Sequence, residues 1–276
     1  MGYKLVCIDM DGTLLNSKHK VSNASKQAII KANNMGVKIV ISTGRMYSDA
    51  EFFSNLIGVK APVIALNGAF IKEKDENEVI YKNILEEKVI VKLLEIFTKY
   101  KVKPTFYKPQ GAYCGSLFIK LFIGFMKLKG IMGGNSIIKY TKGIKQWDKV
   151  FISEKNNIVK CEIMHKDKDR LKKIRSELHK MDEIEIVSSS KYNIEITSCG
   201  VSKGKAVEIL AAYYNINKEE IIAIGDSEND LSMIESAGMG IAMGNAIDKV
   251  KEKSNFITET NDNDGVASAI YKFIIN

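Results

Sequence analysis

The segment Asp9-Met10-Asp11-Gly12-Thr13-Leu14-Leu15 directly follows a short apolar run at residues 4–8. The valine and isoleucine in that run predict a buried β-strand. Alternate residues of an extended segment share a face, so Asp9 and Asp11 can point to one place. Gly12 allows the chain to turn sharply immediately afterwards. Such carboxylates at the end of a strand are expected in the ligand crevice of an open parallel sheet.

Strands and helices alternate on both sides of this segment. Ser22 is a predicted N-cap for a helix at residues 24–35, and Gly36 is its predicted stop. Further predicted strands lie at residues 37–41, 62–66, 221–224 and 239–242, with helices at 203–215, 228–236, 246–253 and 265–274. This alternation is typical of an α/β fold, a Rossmann-like parallel sheet with helices on both faces.

In the middle of the chain, the predicted helices and strands do not follow this regular alternation. Residues 86–100 and 166–181 are predicted helices, and residues 150–153 form a strand-like run. Residues 117–132 predict a buried or amphipathic element, with Phe118, Phe122 and Phe125 on a helix face packed against a core. We therefore expect a core domain at residues 1–83 and 190–276, and an inserted α+β cap domain at residues 84–189.

Composition and charge narrow the class of protein. The chain has 276 residues, 45% hydrophobic and 27% charged, which excludes a disordered protein. Its net charge of +8 favours anionic partners: nucleic acid, a membrane surface or phosphorylated small molecules. Residues 84–189 carry 22 basic and 12 acidic side chains, whereas the remainder is slightly acidic. Two readings stay open, a solubilising surface and a lid that attracts anionic substrates.

The location is predicted from the cysteines and the apolar segments. The four cysteines are far apart and form no CxxC pair, as expected for reduced thiols in the cytosol. The first apolar run reaches Asp9 too soon for a signal peptide. Lysines interrupt residues 117–132, which are too few to cross a bilayer. We expect a cytoplasmic protein with no membrane partner.

A second acidic cluster, Gly225-Asp226-Ser227-Glu228-Asn229-Asp230, follows another predicted strand. Carboxylates brought together cannot all ionise unless a cation lies among them. A set of oxygen ligands without His or Cys favours Mg²⁺ over Ca²⁺. The candidate metal-binding residues are therefore Asp9, Asp11, Asp226 and Asp230. The alternative for Asp230 is a helix cap that orients Asp226.

Two further segments carry candidate phosphate-binding groups. Thr43 and Gly44 follow a predicted strand, where a hydroxyl and free backbone N–H groups can hold phosphoryl oxygens. For the adjacent Arg45 two roles stay open, substrate contact and a salt bridge. Lys203 lies at a predicted helix start, where a cation is unfavourable for the helix dipole. This indicates that Lys203 faces a negative cluster or an anionic ligand, the alternative being a plain surface lysine.

In chain order, these motifs resemble those of the haloacid dehalogenase superfamily, and more closely its Cof-type phosphatases with a large inserted cap. The motifs are Asp9-x-Asp11-Gly12-Thr13, Thr43-Gly44-Arg45, Val201-Ser202-Lys203-Gly204 and Gly225-Asp226-x-x-Asn229-Asp230. The insert falls between Thr43 and Lys203, as this family requires. The segment Asn263-Asp264-Gly265-Val266-Ala267 also resembles the end of the family's chains.

The resemblance implies roles for these residues. Asp9 would attack phosphorus and form an aspartyl-phosphate, while Asp11 would act as general acid and then general base. Side chains of Asp9 and Asp226, with the Asp11 carbonyl, would hold Mg²⁺. The phosphoryl oxygens would be held by Thr43, Gly44, Lys203 and Asn229, with Lys203 also counted as catalytic.

The function implied by the resemblance is Mg²⁺-dependent hydrolysis of small phosphomonoesters, such as sugar phosphates or nucleotides. Alternatives are a phosphotransferase or phosphomutase with the same intermediate, and a non-catalytic protein that binds anions or nucleic acid. The expected partner is a small phosphorylated metabolite and not a nucleic acid. The expected state is a monomer or a weak homo-oligomer.

Overall fold

The computed structural model describes residues 2–58, 61–73, 78–133 and 136–275. In chain order its strands are β1 (Leu5–Ile8), β2 (Lys38–Ser42), β3 (Val63–Ala65), β4 (Phe70–Lys72), β5 (Val79–Lys82), β6 (Pro104–Lys108), β7 (Gly111–Cys114), β8 (Ile137–Tyr140), β9 (Lys160–Met164), β10 (Ile184–Val187), β11 (Asn193–Ser198), β12 (Ile221–Gly225), β13 (Met239–Ala242) and β14 (Phe256–Ile257). Its α-helices are α1 (Asn23–Asn34), α2 (Tyr47–Ile57), α3 (Glu87–Lys99), α4 (Leu117–Leu128), α5 (Ile144–Ser153), α6 (Lys168–Leu178), α7 (Lys203–Tyr213), α8 (Leu231–Ser236), α9 (Asp248–Lys253) and α10 (Gly265–Ile270).

The first sheet has the strand order β14-β13-β12-β1-β2-β3-β4-β5. Strands β14 to β3 in this order pair in parallel, whereas β4 and β5 pair antiparallel at one edge. Residues 66–69 are too few for the crossover that a parallel strand after β3 would need, so β4 turns back beside it. The predicted parallel sheet is confirmed, with an antiparallel edge added.

Both faces of the first sheet are covered by helices. Val6 and Ile8 of β1 belong to an apolar cluster that includes residues of α1, α2 and α10. The alternate residues Leu5 and Cys7 belong to a second cluster with residues of α7 and α8. Because successive side chains of a strand point to opposite faces, the near-continuous apolar runs of β1 and β12 fit this double burial. The predicted helices on both faces are confirmed.

Local signals define the ends of α1 as predicted. The Ser22 side chain accepts a hydrogen bond from the Ser25 backbone N–H, which caps the first turn. Gly36 has φ of +89°, a left-handed conformation that costs glycine little.

The second sheet has the order β10-β11-β9-β6-β7-β8 and is antiparallel except for β7 with β8. Phe106, Cys161 and Ile163 lie on the face that packs against α3 and α6. The alternate residues, including Lys160, point toward the first sheet. This is the expected α+β architecture, but β11 lies beyond residue 189, where we placed the boundary. Residues 193–198 extend the sheet because they pair with both β9 and β10.

Two elements of the insert differ from prediction. Residues 150–153 end helix α5 rather than forming a strand, since Trp147 and Phe151 stack one turn apart against Phe106. Helix α4 forms, but the prediction of a packed aromatic face was wrong. Phe118, Phe122 and Phe125 are all exposed.

Candidate active site

The carboxyl ends of four neighbouring parallel strands bring the site together. Asp9 follows β1, Thr43 follows β2, Asn67 follows β3 and Asp226 follows β12. All four side chains are buried. Parallel strands end at the same edge of a sheet, so residues distant in sequence become neighbours there.

A buried lysine lies among three carboxylates at this edge. The Nζ of Lys203 donates to Asp9 Oδ1 and to Asp230 Oδ1, each at 2.6 Å. Ligand atoms of Asp9, Asp226 and Asp230 all lie within 4.8 Å of one another. Lys203 lies at a helix start, as predicted, since it is the first residue of α7. The two ion pairs offset its effect on the dipole and exclude the surface-lysine alternative.

Burial and mutual repulsion shift the pKa values of these groups. Burial, followed by the charge of Asp230, raises the pKa of Asp9 well above its ordinary value despite Lys203. The same two causes raise the pKa of Asp226 to about 6. Burial by itself would lower the pKa of Lys203, but Asp230 and Asp9 raise it. More positive charge would therefore favour the ionised carboxylates.

The carboxylates of Asp9 and Asp226 are oxygen ligands of the kind that a hard divalent cation prefers, and the Lys203 ammonium lies on the Asp9 side of them. Asp226 accepts hydrogen bonds from the Thr13 hydroxyl at 2.8 Å and the Ser227 hydroxyl at 2.9 Å. The lack of a side chain at Gly12 leaves room for the Asp226 carboxylate, because a Cβ at Gly12 would lie 2.6 Å from Asp226 Oδ2.

Both oxygens of Asp230 are already engaged. Oδ1 accepts from Lys203, and Oδ2 accepts from the backbone N–H groups of Asp226 and Ser227 at 2.9 and 3.0 Å. Asp230 ends a short 3₁₀ turn, Glu228–Asp230, that leads into α8. These contacts favour the alternative in which Asp230 orients Asp226 rather than binding a metal directly.

Asp11 is held by Arg45 rather than by the carboxylate cluster. Arg45 donates to Asp11 from Nε at 2.7 Å and from Nη2 at 2.5 Å, a bidentate pair. Its Nη1 also donates to the carbonyl of Ile131, in the turn after α4, at 3.0 Å. Of the two roles left open for Arg45, the structure contains the salt bridge. The Asp11 side chain is 47% exposed, accessible to a substrate and to water.

The predicted phosphate-binding residues lie beside a buried polar network. Asn229 Nδ2 donates to Asn67 Oδ1 at 3.2 Å, and Asn67 Nδ2 donates to Glu195 Oε2 at 2.6 Å. Lys160 Nζ donates to Glu195 at 2.5 Å and to the carbonyl of Gly44 at 2.8 Å. The backbone N–H of Arg45 donates to the Thr43 hydroxyl at 3.2 Å.

Sequence reasoning missed three members of this network. Asn67 carried an available signal, because it follows the third parallel strand and precedes Gly68, as in a turn at the ligand edge. It has φ of +59°, a left-handed conformation that asparagine tolerates. Lys160 and Glu195 carried no local signal, since both belong to the second sheet and reach the site only through its packing.

Comparison with known proteins places the chain among hydrolases that act on phosphorylated compounds. Residues 6–270 match the family model of haloacid dehalogenase-like hydrolases, and the chain belongs to this family. The chain is an enzyme, a haloacid dehalogenase-type phosphatase. Phosphatases of this family generally use a divalent metal ion, which the acidic cluster fits.

Its relatives include named phosphatases of Bacillus subtilis. The chain is 32% identical to the phosphatase YwpJ, with 96% of this chain and 97% of that protein covered. It is 30% identical to YcsE, a 5-amino-6-(5-phospho-D-ribitylamino)uracil phosphatase, over 99% and 96% of the two chains. A haloacid dehalogenase-like hydrolase structure from B. subtilis has a TM-score of 0.86 at 29% identity, and the match covers 97% of this chain and 98% of that chain.

Among the described helices, none is both long and apolar enough to span a membrane.

Proposed function

We propose that this phosphatase uses Mg²⁺ and hydrolyses small phosphomonoesters through a phosphoryl group carried on Asp9. One observation carries the proposal. Asp9 shares buried Lys203 with Asp230 and lies within 4.8 Å of Asp226, so a nucleophile, a cation and metal ligands converge. Such a set neutralises the charge that develops as a phosphoryl group is transferred.

In the first step an Asp9 oxygen attacks phosphorus, and the bond from phosphorus to the leaving oxygen breaks. Asp11 donates its proton to that oxygen, which leaves as an alcohol. In the second step Asp11 takes a proton from water, whose oxygen attacks phosphorus and releases inorganic phosphate and Asp9. Arg45 holds both oxygens of the Asp11 carboxylate in this structure, so one of these two hydrogen bonds would open when Asp11 carries the proton.

Other residues hold the reacting groups. The Asp9 and Asp226 carboxylates and the Asp11 carbonyl would hold Mg²⁺, with Asp230 orienting Asp226. When bound, Mg²⁺ offsets the repulsion between an anionic nucleophile and an anionic phosphate. Thr43, the Gly44 backbone, Lys203 and Asn229 would hold the phosphoryl oxygens.

The proposed substrates are small phosphorylated metabolites of the sugar or polyol type. The named activity of YcsE supports this, because its substrate carries a phosphorylated ribityl chain.

The test is the Asp9→Asn variant with a chromogenic aryl phosphate and Mg²⁺. We expect kcat to fall by at least about 10³-fold, because the amide is a poor nucleophile. EDTA should also abolish turnover of the unmodified enzyme, and added Mg²⁺ should restore it. Asp169→Asn, a change at an exposed residue of α6, is the matched control.

Full activity of Asp9→Asn, or of the enzyme in EDTA, would contradict the proposal. Adding a sugar phosphate acceptor separates hydrolysis from phosphotransfer. Transfer to the acceptor in preference to water would instead identify a phosphotransferase.

A further inference from the structure

Helix α4 has an exposed apolar face. We define the α4 face by its six large side chains, which are Leu117, Phe118, Leu121, Phe122, Phe125 and Leu128. Their exposed fractions run from 49% to 89%, with Phe118 at 76% and Leu128 at 89%. Exposed apolar residues scattered singly are ordinary, but a contiguous patch of this kind usually marks an interaction site.

The α4 face is separate from the side of the helix that the fold uses. At 3.6 residues per turn, the six side chains cover one arc of about 140°. Ile119, Ile123 and Met126 lie outside that arc and are half-buried, and α4 contacts β7 and β8. No residue of α4 is fully buried. Both sides of the helix are thus apolar, but only the side with Ile119, Ile123 and Met126 is covered by other parts of the chain.

The sequence around the α4 face is entirely positive. Residues 115–147 contain six lysines and no acidic residue. Lys129 follows the helix, with its Nζ 5.5 Å from the centre of the Phe125 ring. Lys139 is exposed on β8, the edge strand beside α4. A partner of the α4 face must therefore combine an apolar interior with negative charge.

This requirement distinguishes between the candidate occupants. A second copy of the chain in a twofold dimer would place the same lysine-rich surface against itself, with no acid from this segment to offset it. An anionic bilayer offers acyl chains to the leucines and phenylalanines, and phosphate headgroups to the lysines. We propose that α4 lies in the surface of an anionic membrane and docks the enzyme there peripherally.

The same features that exclude a spanning segment suit this arrangement. Twelve residues interrupted by lysine are too short to cross a bilayer, but such a helix can lie parallel to its surface. The proposal departs from the expectation of no membrane partner, and returns to the membrane surface that the net charge of +8 had left among the anionic partners. Docking at α4 also lies close to the active site, because Ile131 in the next turn contacts Arg45.

The first experiment is co-sedimentation with vesicles. We expect the enzyme to sediment with vesicles containing phosphatidylglycerol and not with pure phosphatidylcholine, and raised salt should weaken binding. The combined variant Phe118→Gln, Leu121→Gln and Phe122→Gln should lower the partition coefficient by about tenfold or more. Ile152→Gln, at a 74% exposed position of α5, is the control and should bind like the unmodified enzyme.

The second experiment separates charge from apolar contact. Lys129→Gln with Lys139→Gln should weaken binding to anionic vesicles, whereas Lys172→Gln on α6 should not. Thermal melts and turnover of a soluble aryl phosphate should match the unmodified enzyme in every variant, since none alters the active site.

Equal sedimentation with both kinds of vesicle, or with neither, would overturn the proposal. So would unchanged binding of the combined α4 variant. Light scattering in the absence of vesicles tests whether a second copy of the chain covers the α4 face instead. A dimer that the α4 substitutions dissociate, in a protein that binds no vesicle, would assign the α4 face to a second copy.

Discussion

Lys203 is completely buried, and each of its two partners, Asp9 and Asp230, belongs to a different segment of the chain. A buried ammonium is tolerated because both ion pairs have short hydrogen bonds. The same pairs hold Asp9 next to Asp230, whose other carboxylate oxygen accepts from the backbone N–H of Asp226. One residue therefore links stability to the geometry of Asp9, the proposed nucleophile.

Lys203→Met tests this link. The change keeps the side-chain volume but leaves Asp9 and Asp230 without their cation, so the free energy of unfolding should fall by about 3–5 kcal/mol. Turnover should be lost as well. Urea unfolding followed by circular dichroism, with EDTA present, measures the first effect. Lys205→Met, an exposed neighbour paired with Glu208, should change neither quantity appreciably; a similar loss there would contradict the interpretation.

Asp49 is a buried carboxylate outside the acidic cluster, and neither of its oxygens has a hydrogen-bond partner among the described residues. Burial raises its pKa to about 6, although Arg45 opposes the shift. The folded pKa thus exceeds the unfolded value, so the folded state binds the proton more tightly. The carboxyl favours the folded state most at about pH 4 and below, and this contribution is lost as pH rises through about 6.

Asp49→Asn should therefore raise the free energy of unfolding by about 1–3 kcal/mol at pH 8. The gain should shrink as pH falls toward about 4, where the native carboxyl is protonated. Denaturant unfolding at several pH values measures the difference, with Asp169→Asn as the exposed control. A gain independent of pH would show that the charge of Asp49 is not its cause.

At the scale of elements, the close packing of α7 on α8 positions Lys203. Gly204, the second residue of α7, donates its backbone N–H to the Ser232 hydroxyl at 3.0 Å. A Cβ at Gly204 would lie 2.3 Å from the carbonyl oxygen of Ser232. Because the Ser232 carbonyl belongs to the backbone of α8 and cannot rotate away, a Cβ at Gly204 would force α7 and α8 apart.

Gly204→Ala should lower the free energy of unfolding by about 1–3 kcal/mol and reduce kcat, because Lys203 moves with the helix. Thermal melts and kinetics of the aryl phosphate reaction measure the two effects. Gly124→Ala, in open space on α4, should be neutral or stabilising by up to about 1 kcal/mol. Unchanged kinetics in Gly204→Ala would show that α7 does not depend on this contact.

The elements of the first sheet were more predictable than those of the insert. β1 and β12 are continuous apolar runs followed by charged residues, and α1 has its own cap. Residues 150–153 are short and β-branched, a pattern that does not distinguish a strand from the end of a buried helix. Trp147 and Phe151 decide for the helix by stacking together on the second sheet.

At the scale of the molecule, Lys160 and Glu195 tie the two sheets together. Lys160 contacts the Gly44 carbonyl, and Glu195 contacts Asn67, so both ends of a buried ion pair touch the first sheet. A Cβ on Gly44 would lie 2.8 Å from Asn67 Oδ1 and 3.1 Å from Glu195 Oε2. The sheets are closed on each other at Gly44 and Asn67, which follow β2 and β3.

Lys160→Met should favour a more open arrangement. The buried charge of Glu195 would lose its cation, and separation of the sheets would hydrate that charge. The radius of gyration from small-angle scattering should rise, and KM for the aryl phosphate should change. The free energy of unfolding should fall by less than the roughly 3–5 kcal/mol expected for a rigid buried pair. Lys172→Met is the exposed control, and an unchanged radius with a full loss of stability would contradict this prediction.

The sequence by itself determined the order of the four motifs, the parallel sheet and the interruption of the chain by an insert. It could do so because apolar runs, caps and the residues just after strands are local features, and parallel strands bring their ends to one edge. Only the tertiary structure decided that Lys160 and Glu195 reach Gly44 and Asn67, that Arg45 holds Asp11, and that the phenylalanines of α4 are exposed. Those contacts depend on how one sheet faces the other, and neither periodicity nor spacing within a segment specifies that orientation.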